Sequence, residues 1–150
     1  MQNDFISREF NDLKKAVYLL KASLGKFKSY SVDKIYSPLE LEYYDSLAFR
    51  FEKSIELFLH FFKGLESYYS GKISDTLRDR LLFMQKLKII DSIDFWIEAR
   101  LLRNKVAHDY LPEQLKDIYQ EIHKKAKSML LYMNKIEHHM KTLEKQKPPA

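Results

Sequence analysis

One stretch of this chain carries residue types that together could handle a phosphate ester. It runs from Arg103 to Tyr110 and reads Arg-Asn-Lys-Val-Ala-His-Asp-Tyr. A guanidinium can hold a phosphate through two parallel hydrogen bonds, and an imidazole, here that of His108, can move a proton near neutral pH. The stretch lies where a helical pattern runs into a turn before Pro112. We therefore interpret it as a nuclease site, with Asn104 as a supporting residue.

The spacing of the motif limits how its groups could meet on a straight helix. Residues advance about 100° each around an α-helix, so Asn104 and His108 share a face, and Arg103 and Tyr110 nearly share one. Arg103 and His108 are separated by roughly 140°, which is poor for two groups that grip one phosphate. Either the helix loosens before His108, or a second chain completes the site. The alternative without function is a helix end at which a C-terminal His meets the helix dipole.

Composition predicts a globular helical chain. The 150 residues suffice for one domain with a core, which we expect to span residues 1–150, and only 3 Gly and 4 Pro interrupt them, which favours long helices. The net charge of +5 permits an anionic partner such as RNA without requiring one. The absence of cysteine excludes disulfides and Cys-ligated zinc and is compatible with the cytoplasm. We expect no signal peptide and no membrane span.

Hydrophobic periodicity predicts five helices and no strands, hence an all-α fold. The first helix is predicted over residues 4–29, with Gly25 as a position that could end or weaken it. The second is predicted over 38–69 and the fifth over 112–144, with two shorter helices between them; the tail from Lys145 to Ala150 is expected to fray. The residues expected to face the core include Phe27 near the end of the first helix, Tyr69 in the second, and Leu101 and Ala107 in the fourth.

The helix starts are marked by residues that suit N-caps. Ser37, followed by Pro38 and by a Glu three residues after the Ser, predicts a capping box for the second helix. Ser74 or Asp75 is expected to cap the third helix. Asp91 or Ser92 is expected to cap the fourth helix, which carries the motif.

Outside the motif, the charged and titratable residues are interpreted as surface positions. His60 is one of them, and the last helix is expected to carry the histidines His123, His138 and His139 on a solvated face. The lysines Lys124, Lys125 and Lys127 are expected to make that helix soluble; the alternative is that they add affinity for an RNA backbone. Neither a phosphate-binding glycine loop nor a metal-nuclease carboxylate pattern is present, so no metal and no cofactor are predicted. A nuclease of this kind would use the 2′-hydroxyl of RNA as nucleophile, with His108 moving the proton and Arg103 stabilising the charge on the phosphorane.

The motif resembles a known family signature. Arg103-Asn104-x-x-Ala107-His108-x-Tyr110 resembles the Arg-x-x-x-x-His-x-Tyr signature of the HEPN superfamily, and it looks most like the HepT toxins and the related substrate-binding subunits of nucleotidyltransferases. The segment from Phe49 to Leu57 is similar to the Arg-Phe-Glu…Glu-Leu segment on the second helix of that group. The resemblance covers about residues 40–122.

The resemblance implies an up-and-down antiparallel helical bundle that forms a homodimer, in which two motif helices build one composite site. It implies a metal-independent endoribonuclease toxin of a toxin–antitoxin system, encoded beside an MNT-type minimal nucleotidyltransferase antitoxin that transfers adenylyl groups to Tyr110. Glu52 is a candidate for the polar residue that such proteins often carry on the second helix. Two alternatives stay open, a non-catalytic substrate-binding subunit of a nucleotidyltransferase and a structural helical dimer.

Overall fold

The structure, a computed structural model, describes residues 2–106 and 110–145, with side chains from residue 4 onward. Within these ranges every regular element is an α-helix, which confirms the predicted all-α class. The helices are α1 (Gln2–Gly25), α2 (Pro38–Ser70), α3 (Leu77–Lys86), α4 (Ile93–Lys105) and α5 (Pro112–Lys145). None of these five helices is long and apolar enough to cross a membrane. Two predictions, the packing of Ala107 and the fraying of residues 146–150, lie outside the described residues.

The helices α1 and α2 pack side by side in opposite directions. Near the end of α1, Phe27 meets Tyr44 of the first turns of α2 with ring centroids 6.3 Å apart. Near the start of α1, Phe10 meets Phe61 in the second half of α2, with centroids 6.1 Å apart. The pair therefore forms an antiparallel hairpin joined by the connector of residues 26–37.

The helix α4 runs back along α2. Trp96 in its first turn packs on Phe58 with ring centroids 4.9 Å apart, whereas Val106, just past its end, lines a small cavity together with Ala48. The two helices therefore run antiparallel, and the short α3 links the end of α2 to the start of α4.

The long helix α5 runs in the same direction as α2. Tyr119 near its start meets Tyr44 with ring centroids 4.8 Å apart, and near its end His139 Nε2 lies 2.8 Å from the hydroxyl of Tyr69. The four longer helices thus alternate in direction along the chain, with α3 as a short link. All five helices contribute to one hydrophobic core, whose largest fully buried side chains include Phe51, Phe58, Phe61, Phe62 and Trp96.

Local capping chemistry accounts for the starts of α2 and α4. The Ser37 hydroxyl accepts a hydrogen bond from the backbone N–H of Glu40 at 3.2 Å, and the Glu40 carboxylate accepts one from the Ser37 N–H at 3.2 Å. This is the predicted capping box, since it satisfies two helix-end donors reciprocally. Ser92, one of the two residues predicted, caps α4 through its hydroxyl.

The cap of α3 differs from the prediction. Thr76, rather than Ser74 or Asp75, accepts a hydrogen bond from the Asp79 N–H at 3.1 Å. Ser74 is engaged elsewhere, because its backbone N–H and its hydroxyl both donate to the carboxylate of Glu66. A contact with the preceding helix, between residues eight positions apart, thus occupies Ser74, and the helix starts one or two residues later than predicted.

The end of α1 follows the alternative that the sequence left open. The helix ends at Gly25 rather than at residue 29, after a tightened last turn. Phe27 therefore lies beyond the helix, yet it is packed against the core and stacks on the His123 ring with centroids 4.2 Å apart.

Two residues predicted for the core lie at the surface. Tyr69 is 39% exposed in the last turn of α2, and Leu101 is 57% exposed on α4. The buried face of α4 follows Trp96, Ala99 and Leu102 at steps of three. Leu101 is five residues past Trp96 and therefore points away from that face.

We predict that Glu66 is essential for the stability of the link between α2 and α3. Its carboxylate is 3% exposed, accepts a hydrogen bond from the Ser74 N–H at 2.7 Å and lies 3.6 Å from Arg80 Nε. Glu66→Ala removes the acceptor of the two Ser74 donors and the carboxylate beside Arg80, so urea denaturation should show a loss of about 1.5–3 kcal/mol of unfolding free energy. The control is Glu98→Ala, which removes a carboxylate that is 63% exposed and pairs with Lys125, and it should cost at most about 1 kcal/mol. Equal losses in the two variants would contradict the prediction.

Candidate functional site

Arg103 lies in the last turn of α4, where its neighbour Asn104 orients it. Arg103 Nε and Nη2 donate to the side-chain oxygen of Asn104 at 3.3 and 3.0 Å. Among the described residues no carboxylate lies within ion-pair distance of this guanidinium. A guanidinium has five N–H groups, so its remaining donors are available to a planar anion.

The guanidinium lines an open groove of about 390 Å³ between α2, α3 and α4. The other lining residues are Glu56, Leu59, His60, Lys63, Asp75, Leu77, Arg80 and Arg100. Four cationic side chains thus face two carboxylates. We define these residues together with Arg103 as the cationic groove, and its charge balance suits a phosphate-bearing ligand.

The motif is not one continuous helix. α4 ends at Lys105, and the Val106 N–H donates to the Arg103 carbonyl at 3.3 Å. His108, like the residues on either side of it, lies outside the described residues. Because the helix ends before His108, the separation of roughly 140° from Arg103 does not apply. Of the two explanations for the spacing, this favours a loosened helix, and the spacing no longer requires a second chain.

Tyr110 lies between α4 and α5 and lines a different cavity, of about 220 Å³. The prediction that Tyr110 nearly shares a helical face with Arg103 is therefore wrong, because that argument assumed an unbroken helix. Glu52 lines the cavity of Tyr110, and Glu56, one turn further along α2, lines the cationic groove. The two depressions therefore adjoin along one face of α2.

The cavity beside Tyr110 also holds a phenol that stays protonated. Burial, followed by the charge of Asp45, raises the pKa of Tyr119 to about 12. Tyr119 and Asp45 both line the cavity. At neutral pH Tyr119 can therefore act only as a neutral hydroxyl donor or acceptor there.

The prediction of a solvated histidine face holds for some positions only. His60 and His138 are exposed. His123 stacks on a phenylalanine ring, and His139 lies 2.8 Å from a tyrosine hydroxyl. Burial lowers the pKa of both His123 and His139, so they are neutral packing residues. No group of three possible metal ligands occurs in the described part of the chain.

The lysine run of α5 does not line the cationic groove. Lys125 pairs with Glu98 at 3.1 Å and lies over the Phe95 ring at 5.1 Å from its centroid. This lysine therefore serves the contact between α4 and α5, and it does not extend the groove.

Sequence reasoning missed one pair of residues at this site. His60 Nε2 lies 2.8 Å from Glu9 Oε1, although the two residues are far apart in the sequence. A signal was present in Gly64, which lies inside α2 one turn after His60. A glycine inside a helix costs about 0.5–1 kcal/mol relative to alanine, so it marks a position where space is needed.

Known proteins give no independent information about this chain. No family model, curated protein or solved structure matches it. The motif and the geometry of the groove are therefore the features of this chain that point to a function.

We predict that the cationic groove binds the backbone of single-stranded nucleic acid. Single-stranded DNA is a suitable probe because it lacks the hydroxyl through which RNA can be cleaved. Arg103→Ala should weaken binding and reduce the slope of log affinity against log salt by about 0.7, the value for one lost phosphate contact. Fluorescence anisotropy at several salt concentrations measures both quantities.

The control for this experiment is Lys141→Ala, which removes an exposed cation from α5, a helix that contributes no residue to the groove. It should leave the salt slope unchanged. An Arg103→Ala protein with the affinity and slope of the wild type would show that the groove does not hold the backbone.

Proposed function

We propose that this protein is a HepT-like toxin, a metal-independent endoribonuclease of a toxin–antitoxin system in the cytoplasm. The observation that carries the proposal is the position of Arg103. Its guanidinium is oriented by Asn104 within a cationic groove, directly before the turn that leads to His108. Oriented donors in a positively charged groove are what stabilisation of a phosphorane requires.

The proposed reaction needs no group from outside the RNA and the protein. The 2′-hydroxyl attacks the adjacent phosphorus, so that the P–O2′ bond forms and the P–O5′ bond breaks. His108 moves a proton during this exchange, and Arg103 stabilises the added negative charge. The products are a 2′,3′-cyclic phosphate and a 5′-hydroxyl. DNA lacks the attacking group and should not be cut.

The proposal includes a homodimer in which the two motif segments lie close together. Exposed apolar side chains beside the motif support this part. Leu101 on α4 is 57% exposed, Leu111 after the motif is 65% exposed, and Phe49, which lines the cavity of Tyr110, is 66% exposed. A contact between chains would cover such apolar side chains.

The proposal also includes control by a partner. An MNT-type nucleotidyltransferase would transfer the adenylyl group of a nucleoside triphosphate to the Tyr110 hydroxyl, with release of pyrophosphate. The adjoining depressions support this step, because one turn of α2, about 5.4 Å, separates the residue beside Tyr110 from the residue in the groove. The phosphate would be bonded to the Tyr110 oxygen, and the attached adenosine is long enough to reach across that distance and block the groove to RNA.

We predict that the wild type cleaves RNA in the presence of chelator and that His108→Ala does not. The loss should be roughly 10²–10⁴-fold if His108 moves a proton in the rate-limiting step. Electrophoresis of an oligoribonucleotide pool measures cleavage, and circular dichroism verifies folding. Undiminished cleavage by His108→Ala, or loss of wild-type activity on chelation, would reject the mechanism. Binding without cleavage by the wild type would favour a substrate-binding subunit instead.

We predict that Tyr110→Phe escapes control by the nucleotidyltransferase. The variant keeps the ring but lacks the acceptor oxygen, so it should fold, cleave RNA and resist neutralisation. Intact mass after co-expression decides the matter, because only the wild type should gain adenylyl mass. Tyr18→Phe, which changes a phenol that is 75% exposed, is the control and should be modified as the wild type is. Equal mass gain in Tyr110→Phe would exclude Tyr110 as the target.

A further inference from the structure

The cationic groove contains a histidine that lies within ion-pair distance of a carboxylate from another helix. His60 on α2 lines the groove together with Arg103, and its side chain is 59% exposed. Its Nε2 lies 2.8 Å from Oε1 of Glu9 on α1, whose side chain is only 11% exposed. The pair thus consists of an accessible imidazole and a nearly buried carboxylate.

The sequence of α2 leaves room for this carboxylate. A Cβ placed on Gly64 would lie 2.5 Å from Glu9 Oε2, so the carboxylate at the end of this side chain would have to shift. Gly64 is one turn after His60, so the missing side chain and the imidazole lie on the same face of α2. The helix therefore tolerates an unfavourable glycine where the carboxylate of Glu9 lies.

The carboxylate needs a donor, and His60 is placed to supply it. Both oxygens of Glu9 are buried, and neither has a hydrogen-bond partner in the described part of the chain, but His60 Nε2 lies within ion-pair distance of Oε1 at 2.8 Å. Burial raises the pKa of Glu9, and the charge of His60 is the largest influence that opposes this effect. Because a buried carboxylate without a donor is costly, the hydrogen of the neutral ring belongs on Nε2. The Nδ1 lone pair is then free to accept a proton.

We propose that His60 is the general base of RNA cleavage and that Glu9 is its positioning residue. This inference rests on the proposed ribonuclease function and deepens it. Cleavage through the 2′-hydroxyl needs two proton transfers, one from the attacking oxygen and one to the leaving oxygen. His60 Nδ1 takes the proton of the 2′-hydroxyl as the P–O2′ bond forms. His108 gives a proton to O5′ as the P–O5′ bond breaks.

Glu9 contributes to this reaction without touching the RNA. When Nδ1 takes the proton, the ring becomes an imidazolium, and the negative carboxylate at Nε2 stabilises that charge. The carboxylate also holds the ring in the tautomer that acts as a base. Arg103 binds the phosphate in the same groove, so base and phosphate ligand come from one chain.

The first test is cleavage of an oligoribonucleotide pool by His60→Gln under single-turnover conditions. The rate should fall roughly 10²–10⁴-fold, as expected for loss of a general base. His138→Gln, an exposed histidine on α5, is the matched control and should keep the wild-type rate. Thermal denaturation should show that both variants fold, since both side chains are exposed.

The second test separates the base from the acid. An oligoribonucleotide with sulfur in place of the bridging O5′ at the mapped cleavage position has a leaving group that needs no proton. His108→Gln should cleave this substrate at nearly the wild-type rate, whereas His60→Gln should stay slow. Restored cleavage by His60→Gln would overturn its assignment as the base.

The third test examines the role of Glu9. Glu9→Gln keeps the shape of the side chain but removes its charge, so kcat should fall while KM for RNA stays unchanged. Gly64→Ala should lower kcat in the wild type, because the new methyl group displaces the carboxylate. In the Glu9→Gln background it should have a much smaller effect, as expected for two residues that act as one unit. Additive effects of the two substitutions would overturn the positioning role.

The two levels of the proposal fail in different ways. If the wild type cleaves RNA and His60→Gln cleaves it equally well, the inference about His60 is wrong and the ribonuclease function stands. If the wild type cleaves no RNA while still binding single-stranded DNA through Arg103, both are wrong.

Discussion

The insertion of Trp96 between α2 and α5 is the contact on which the position of the candidate site depends. Its fully buried ring lies 4.9 Å from that of Phe58, 5.0 Å from Phe62 and 5.1 Å from Tyr132, measured between centroids. Truncation of such a side chain costs about 3–5 kcal/mol, whereas a surface ion pair of the kind that also joins α4 to α5 contributes at most about 1 kcal/mol. Arg103 is two helical turns after Trp96 and nearly on the same face. The tryptophan that fixes α4 on α2 therefore also directs the guanidinium toward the groove.

The helix α2 carries core residues on one face and the polar residues of the site on another. Its aromatic residues form the centre of the core. A polar stripe of Glu52, Glu56, His60 and Lys63 follows steps of four, four and three, so it stays on one face over three turns. The first member lines the cavity of Tyr110, and the other three line the cationic groove. Packing on one face thus holds in place the polar groups on the other.

The sequence predicts what is local in this fold and misses what depends on the register between helices. The capping box at Ser37 was predictable, because all its atoms lie within four residues of each other. The cap of α3 was not, because Glu66 engages Ser74 from a preceding helix. The pairing of Glu9 with His60 was missed for the same reason, since periodicity places each residue on its own helix but does not align one helix with the next.

The charge along the polar stripe of α2 also bears on how modification of Tyr110 would affect the groove. Its charge changes from acidic at Glu52, beside Tyr110, to basic at Lys63, which shares the groove with Arg103. The step after Glu52 is still acidic at Glu56, and Lys63 follows only about two turns later. The phosphate of an adenylyl group would be bonded to the Tyr110 oxygen, so its negative charge would stay in the neighbouring cavity. From there it would repel an RNA phosphate that approaches the groove, and the attached adenosine would obstruct the groove by its bulk.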